Sequence, residues 1–282
     1  MTAARPTTTA AKLVRHIAFT LLVGVTIGAF AQAQPAKPGA YEPQVGQEGK
    51  DVVWVPTPQA LVDRMLDMAK VTPNDYLMDL GSGDGRTVIT AAKRGVHATG
   101  IEYNPEMVEL SKRNAEKEGV AGKVEFRKAD LFETDFSGAS VITMFLLPDI
   151  NLRLRPTILD MKPGTRVVSN TFTMGEWEAD ETSTVSEASG YYRTALLWIV
   201  PAKVEGQWKS AQGDLELTQT FQKIGGNVRT SNGPVMLNGR LHGDRISFTA
   251  GGAEFTGRVD GNTIEGTVKS GGSTSAWKAT RG

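Results

Sequence analysis

Residues 79–86, which read Asp-Leu-Gly-Ser-Gly-Asp-Gly-Arg, have the types and spacing in this chain that most clearly predict chemistry. They follow the apolar residues Tyr76, Leu77 and Met78 and precede a helix-forming stretch that Gly95 ends. A strand that turns through glycines into a helix brings bare backbone and the positive end of the helix close to a ligand. We therefore predict that this loop binds a ligand.

The glycine spacing distinguishes two kinds of nucleotide site. A dinucleotide fingerprint requires G-x-G-x-x-G, but Arg86 stands at the last glycine position. The chain also lacks the catalytic His or Tyr-Lys arrangement of an NAD-linked oxidoreductase. An acidic residue two positions before G-x-G-x-G instead resembles the first motif of class I S-adenosylmethionine (SAM)-dependent methyltransferases. The resemblance implies a cofactor site containing Asp79, Gly81, Ser82, Gly83, Asp84 and Gly85.

Two further acidic residues stand where this resemblance requires them. A second predicted strand, residues 97–103, contains Glu102, whose carboxylate can accept both ribose hydroxyls of a nucleoside, with Tyr103 beside it. A third predicted strand, residues 124–129, ends before Asp130 and Leu131. In the family, this acidic residue takes the adenine amino group and the neighbouring backbone takes a ring nitrogen. Either carboxylate alone could be an exposed charge at a strand end, but their placement relative to the glycine loop favours SAM binding.

Other short elements resemble a narrower family, which includes the mitochondrial protein-lysine methyltransferases of the ATP synthase c-subunit and the adenine nucleotide translocase. The shared elements lie between residues 54 and 180: Val-Pro-Thr at 55–57, Gly-Ile-Glu-Tyr-Asn-Pro at 100–105, Phe-Leu-Leu-Pro at 145–148 and Trp177. The resemblance implies methyl transfer to a nitrogen acceptor, either a protein lysine or a small amine. The Asn/Asp-Pro-Pro-aromatic loop of many nucleobase methyltransferases is absent from the sequence. We expect a substrate channel without acid–base groups, and ordinary packing or capping is the alternative for each candidate: Thr57, Phe145, Leu147, Pro148 and Trp177.

The predicted fold is an α/β Rossmann-like seven-stranded methyltransferase sheet followed by a small all-β antiparallel barrel or sandwich. Alternating strand and helix patterns predict the first domain at residues 52–203, after a linker at residues 34–51. Residues 182–189 and 191–201 are expected to close the sheet as an antiparallel pair. Residues 204–282 hold short alternating segments separated by glycine-rich turns, and residues 206–282 contain 15 of the 31 glycines. The predicted core of this second domain, preferred over a carbohydrate-binding platform, is Trp208, Leu215, Leu217, Phe221, Ile246, Phe248, Phe255, Ile264 and Trp277.

The N-terminus resembles a secretory signal peptide. Residues 1–33 combine Arg5, Lys12 and Arg15 with a short apolar run and the small-residue cleavage pattern at Ala31 and Ala33. We predict a periplasmic protein without a stable membrane span after cleavage, and an uncleaved anchor is the alternative. Export poses a supply problem because SAM is made in the cytosol. The protein could use imported or leaked SAM, act before export, or be a non-catalytic nucleoside- or surface-binding protein with a methyltransferase fold.

Composition narrows the chemistry further. The absence of cysteine excludes thiolate metal sites and cysteine nucleophiles, and the three scattered histidines give no metal cluster. No metal is therefore expected. The formal net charge of zero gives no electrostatic reason to expect nucleic acid as a partner.

Overall fold

Alternating strands and helices between residues 59 and 199 build a seven-stranded sheet covered on both faces. The computed structural model describes residues 41–186 and 190–282. The predicted signal peptide and the first part of the predicted linker lie outside these residues. Residues 41–282 belong to one compact unit. The elements up to residue 199 are α1 (Gln59–Met68), β1 (Tyr76–Leu80), α2 (Arg86–Lys93), β2 (His97–Glu102), α3 (Pro105–Lys117), β3 (Val124–Lys128), β4 (Val141–Met144), α4 (Pro148–Leu159), β5 (Arg166–Asn170), β6 (Glu181–Thr184) and β7 (Thr194–Ile199).

The strand order is β3-β2-β1-β4-β5-β7-β6. The first five strands are parallel, and β7 runs antiparallel to both β5 and β6. This arrangement confirms the predicted fold, including the closing antiparallel pair. The order reverses between β1 and β4, and such a switch point opens a crevice at the carboxyl ends of the strands. The glycine loop follows β1 directly and therefore lies at that crevice.

Two apolar layers hold the sheet between its helices. Consecutive strand residues point to opposite faces, so Leu77 packs in one buried cluster and Met78 in the other. Val168 and Val167 divide in the same way. Each fully buried side chain of this size contributes about 1.5–3 kcal/mol. The rigid sheet therefore fixes where each strand ends.

The residue at which each helix begins follows from the local sequence for α3, whereas α1 begins later than its sequence predicts. Asn104 caps α3, since its side chain accepts a hydrogen bond from the Glu106 amide at 2.9 Å, as the Asn-Pro pair predicts. The Thr-Pro pair at residues 57–58 predicts a first helix that Thr57 caps and Pro58 begins, but this prediction is wrong by one residue. Pro58 takes the capping position and α1 begins at Gln59. This shift leaves Thr57 buried beside the crevice.

The C-terminal region forms a closed antiparallel barrel of eight strands, which confirms the predicted small all-β architecture. The barrel strands are β8 (Gly206–Ser210), β9 (Asp214–Thr220), β10 (Lys223–Thr230), β11 (Gly233–His242), β12 (Arg245–Ala250), β13 (Ala253–Asp260), β14 (Thr263–Ser270) and β15 (Ser273–Arg281).

The alternating segments predict six strands, at residues 214–222, 235–241, 245–249, 254–259, 263–268 and 275–280, and all six are present. The other two strands, β8 and β10, were not predicted. Strand β10 contains Gly225 and Gly226, which hide its alternation. A Cβ atom on Gly226 would lie 1.9 Å from the Glu216 carbonyl oxygen. The close approach of β9 therefore requires glycine at this position.

The barrel core is as predicted except at Phe221. The other eight predicted core residues are buried in one cluster inside the barrel. Phe221 instead has a positive φ of 53° and stacks on Trp177 of the sheet region, with ring centroids 5.9 Å apart. The adjacent Gln222 donates a hydrogen bond to the Glu178 carbonyl at 2.8 Å. These contacts dock the barrel on the sheet region, and the boundary near residue 204 stays a prediction.

Across residues 41–186 and 190–282, no helix combines the length and apolarity needed to cross a membrane.

Candidate active site

A cleft opens at the carboxyl ends of β1, β2, β3 and β4, where the sequence predicts the cofactor site. Twelve of the fifteen predicted site residues line it: Thr57, Asp79, Gly81, Ser82, Gly83, Asp84, Glu102, Tyr103, Asp130, Leu131, Phe145 and Leu147. The topology therefore brings together side chains and backbone that are up to 90 residues apart in sequence.

The glycine loop after β1 needs glycine at each of its three positions. Gly81, Gly83 and Gly85 have positive φ angles of 80°, 53° and 82°. A Cβ atom on Gly83 would lie 2.7 Å from the Trp54 indole nitrogen, and one on Gly85 would lie 2.8 Å from the Phe126 ring. Gly85 does not line the cleft, because it turns the chain into α2. Its role is therefore to shape the loop.

Glu102 at the end of β2 braces this loop. One carboxylate oxygen accepts the Gly83 amide and the other accepts the Asn104 amide, both at 2.9 Å. A carboxylate offers about four acceptor positions. Positions therefore remain for two ribose hydroxyls, and the same side chain can shape the loop and bind a nucleoside.

Asp79 is the buried acid of the site. Only 6% of its surface is exposed, and one carboxyl oxygen accepts the Thr143 hydroxyl at 2.7 Å. Burial raises the pKa of Asp79 to about 7, and the nearby charges of Glu102 and Asp84 act in the same direction. The carboxyl can therefore change its protonation state near neutral pH when a cation binds beside it.

Asp84 and Arg86 connect the glycine loop to the segment before α1. The Arg86 guanidinium forms an ion pair with the Asp84 carboxylate at 2.6 Å and donates to the Thr57 carbonyl at 2.8 Å. The Thr57 hydroxyl in turn accepts a hydrogen bond from Asn170 at the end of β5 at 3.3 Å. Arg86, whose presence excludes the dinucleotide fingerprint, therefore connects the glycine loop to the segment before α1.

The predicted adenine end of the cleft holds an unpredicted lysine. Lys50 pairs with the Asp130 carboxylate and lies over the Tyr103 ring, 4.7 Å from its centroid. This hydrogen bond, together with that from the Phe132 amide, lowers the pKa of Asp130. Lys50 belongs to a loop at residues 46–54, which we call the N-terminal loop. It is closed by hydrogen bonds between Gly46 and Trp54 at 2.8 Å and between Trp54 and Gln47 at 2.9 Å.

Sequence reasoning assigned most of the N-terminal loop to the linker. Residues 47–54 nevertheless line the cleft. The only sequence signals there are Trp54 and a single lysine, and neither has a periodicity that would indicate a site.

The opposite end of the cleft is lined by Phe145, Leu147, Phe172 and Tyr192. Phe172 follows β5 and Tyr192 precedes β7. Neither residue was predicted, because no recognisable sequence motif surrounds it. Phe145 and Leu147 were predicted to line the substrate channel, and they follow β4 here.

Pro148 and Trp177 were also predicted to line the channel, but the structure places them elsewhere. Pro148 begins α4 and does not line the cleft. Trp177 is fully buried and packs against Trp198 and Phe221. Pro148 therefore serves to begin a helix, because the chain turns into α4 at this residue. Trp177 is a packing residue, because the docked barrel covers it.

The residues of the cleft fit S-adenosylmethionine. Glu102 has free acceptor positions for ribose, Asp130 presents a carboxylate at the end of β3, and Asp79 can offer a charge to a cationic ligand. The Ser82 hydroxyl is buried in the loop without a hydrogen-bond partner among the described residues, and such a group can bond to a polar ligand. Fold and site together define a class I SAM-dependent methyltransferase.

Comparison with known proteins identifies the family. Residues 79–181 match the ANTKMT methyltransferase domain. The chain is 43% identical over 152 residues to a protein-lysine N-methyltransferase of Saccharolobus islandicus, a match that covers 53% of this chain and 94% of that protein. It is 34% identical over 128 residues to the human lysine N-methyltransferase of the ATP synthase c-subunit, and this match covers 45% of this chain and 54% of the human protein. The chain belongs to the methyltransferase family that includes these protein-lysine N-methyltransferases.

A solved structure shares the fold and is similar in sequence. It is an RNA methyltransferase from Salinibacter ruber in complex with S-adenosyl-L-homocysteine, 46% identical, with a TM-score of 0.50. The match covers 53% of this chain and 96% of the Salinibacter chain. The chain thus spans nearly all of two relatives and about half of the human enzyme, and about half of its own length lies outside each match.

Proposed function

We propose that this enzyme transfers the methyl group of S-adenosylmethionine to a nitrogen acceptor, a protein lysine or a small amine. The observation that carries the proposal is the apolar acceptor end of the cleft. There Phe145, Leu147, Phe172 and Tyr192 line the surface. The two basic side chains of the described lining, Lys50 and Arg86, are both paired with carboxylates.

The apolar acceptor end suits an amine better than a nucleic acid. An amine attacks as a neutral nucleophile, so an acceptor lysine must first lose its ammonium proton. A partly desolvated, apolar surface lowers the pKa of that ammonium. Nucleic-acid binding draws its affinity from unpaired basic side chains that contact phosphates. The paired state of Lys50 and Arg86 therefore favours the amine.

The residues of the chain have distinct roles in this reaction. Bound SAM supplies an activated methyl group on a sulfonium. Glu102 and Asp130 would hold its nucleoside, and Asp79 and the glycine loop would hold its amino-acid part. Phe145 and Leu147 would exclude water and direct the acceptor nitrogen toward the methyl group. Alignment of this kind can supply most of the rate enhancement without an acid–base residue.

Labelling with tritiated SAM tests the acceptor class. Envelope extract and total RNA should be incubated separately with the enzyme, and the labelled protein hydrolysed to identify methyllysine. We expect label in protein or small amines. Label confined to RNA would refute the proposal and favour the alternative, an RNA acceptor, which the similarity to the Salinibacter RNA methyltransferase supports.

A matched pair of variants tests the channel. Leu147 lines the cleft and is 40% exposed, whereas Leu152 on α4 is 37% exposed and lies outside the lining. Leu147→Trp should lower kcat more than it weakens SAM binding, because the bulk obstructs the acceptor and not the cofactor. Leu152→Trp should leave both unchanged.

We also propose that the protein is exported, on the basis of the charged and apolar pattern of residues 1–33. An exported enzyme would then use imported or leaked SAM, or it would act before it is exported.

A further inference from the structure

Three aromatic rings from separate segments meet at the acceptor end of the cleft. Phe145 follows β4, Phe172 follows β5 and Tyr192 precedes β7. Their ring centroids are 5.9 Å apart for Phe145 and Phe172, 5.1 Å for Phe145 and Tyr192, and 5.8 Å for Phe172 and Tyr192. All three line the cleft, and Tyr192 is 37% exposed. We call these three rings the aromatic wall.

The backbone that carries Phe172 is held in a strained conformation. Thr171, just before it, has a φ of 62°. A β-branched residue rarely adopts such an angle, which costs about 1–3 kcal/mol. The Thr171 amide donates to the Thr194 carbonyl at 2.7 Å, which ties this turn to β7. Strain of this kind persists only where surrounding contacts enforce it.

Buried polar side chains enforce this turn. Ser169 donates to the Phe172 carbonyl at 2.8 Å, and Asn151 donates to the Thr173 carbonyl at 3.1 Å. Both side chains are fully buried. Phe172 is only partly buried and belongs to neither core cluster of the sheet, so core packing does not account for these contacts. The turn holds the ring at the cleft surface.

The chemistry of the wall selects a cation. An aromatic face carries negative charge density and attracts an ammonium within about 6 Å of the ring centroid. The basic side chains in the described lining are held by Asp130 and Asp84, at the cofactor end. The rings are therefore available to a cationic group of the substrate.

We propose that Phe145, Phe172 and Tyr192 form a subsite for the alkylammonium group of the acceptor and retain it after methylation. This inference rests on the proposed amine acceptor. In each transfer the amine lone pair forms a bond to the methyl carbon, the carbon–sulfur bond breaks with its electrons going to sulfur, and the ammonium proton leaves to water. Desolvation at the wall favours loss of the proton from the strongly hydrated unmethylated ammonium. A methylated ammonium is a larger and less hydrated cation, so it keeps more of its attraction to the ring faces. The wall therefore holds it for a further round with a fresh SAM, and multiply methylated products should accumulate.

Binding of a small cation tests the subsite without turnover. The probe is choline, compared with its neutral isostere 3,3-dimethylbutanol, titrated calorimetrically into protein saturated with S-adenosylhomocysteine. We expect the wild type to prefer choline about 5- to 30-fold, the range for a desolvated cation on aromatic faces. Phe172→Leu and Tyr192→Leu should each reduce this preference at least about threefold.

A neighbouring tyrosine provides the control. Tyr191 is 94% exposed and does not line the cleft, so Tyr191→Leu should keep the full preference. Unchanged binding of S-adenosylhomocysteine shows that each variant is folded. Tyr192→Leu should also shift the products of the labelling reaction toward monomethylated amines.

The outcomes separate this inference from the proposed function. Equal binding of choline and its isostere by the wild type, or full preference in both wall variants, would overturn the subsite even if amines are methylated. If RNA alone is methylated, the proposed function fails and the amine subsite fails with it.

Discussion

The buried acid Asp79 should make cofactor binding depend on pH in a way that its surroundings specify. Burial raises its pKa to about 7, against an ordinary value near 4. At pH 6 most of the free enzyme therefore carries a proton on this carboxyl. SAM carries positive charge on its sulfonium and amino groups, and a cation beside Asp79 favours the ionised form. Binding below pH 7 should consequently expel one proton.

The magnitude follows from this linkage. If the bound state keeps Asp79 ionised throughout, affinity should rise close to tenfold per pH unit between about pH 5.5 and 7 and then level off. The stability of the free protein should move in the opposite direction. The unfolded chain loses the proton near pH 4 and the folded one near pH 7, so this group lowers the free energy of unfolding as pH rises through that window, by about 4 kcal/mol in total.

Calorimetry at several pH values, in buffers of different ionisation enthalpy, measures both affinity and the number of protons released. Asp79→Asn keeps an acceptor for the Thr143 hydroxyl but cannot titrate. In that variant the proton release and the slope should both disappear. Affinity independent of pH in the wild type, with no proton release at pH 6, would show that the cofactor's positive charge does not interact with Asp79.

Four other outcomes are expected from the structure and sequence. Glu102→Ala should weaken SAM binding about 30- to 100-fold in calorimetry and lower the melting temperature, because the Gly83 amide loses its acceptor and ribose loses its partner; unchanged affinity would contradict this role. Lys50→Met should strengthen SAM binding by up to about fivefold in the same assay, because it releases Asp130 from an ion pair worth at most about 1 kcal/mol. Weaker binding would mean that Lys50 helps to hold the cofactor. Phe221→Ala should cost about 3 kcal/mol in denaturant unfolding and leave SAM affinity intact, because the ring packs on the sheet region and not in the cleft; a loss of affinity would show that the docked barrel shapes the site. Mass spectrometry of the protein from its native host should find a new N-terminus near residue 32 or 34, and an intact Met1 in the cytosolic fraction would contradict export.

The parts of the site that could be predicted from sequence are those that depend on one strand and the turn after it. Asp79, the three loop glycines, Glu102 and Asp130 each lie at or just after the end of a strand whose apolar pattern is legible, and parallel strands deliver their ends to one edge. Their convergence is therefore a consequence of topology. The closing antiparallel pair could be predicted for a similar reason, since its two segments are neighbours in sequence.

The parts that could not be predicted depend on contacts between distant segments. Lys50 reaches Asp130 across 80 residues, from a loop with no periodic pattern. Phe172 reaches the cleft through a strained turn at Thr171, a position where a β-branched residue gives no sign of a positive φ. In the barrel, close approach of two strands requires Gly226, and that glycine removes the alternation by which the strand would have been recognised.

These two groups of residues divide the site by function. The cofactor end is built from side chains and glycines at the ends of adjacent parallel strands, so their positions follow from the sheet topology. The acceptor end is built from the loops after β4 and β5 and before β7, which the sheet leaves free to vary in sequence. In this chain those loops bring three aromatic rings together. Hydrogen bonds from the buried side chains of Ser169 and Asn151, and one to the Thr194 carbonyl, hold the turn that carries Phe172. We therefore expect acceptor choice to depend on tertiary contacts at the mouth of the cleft, and substitutions there to change the acceptor while the cofactor end remains intact.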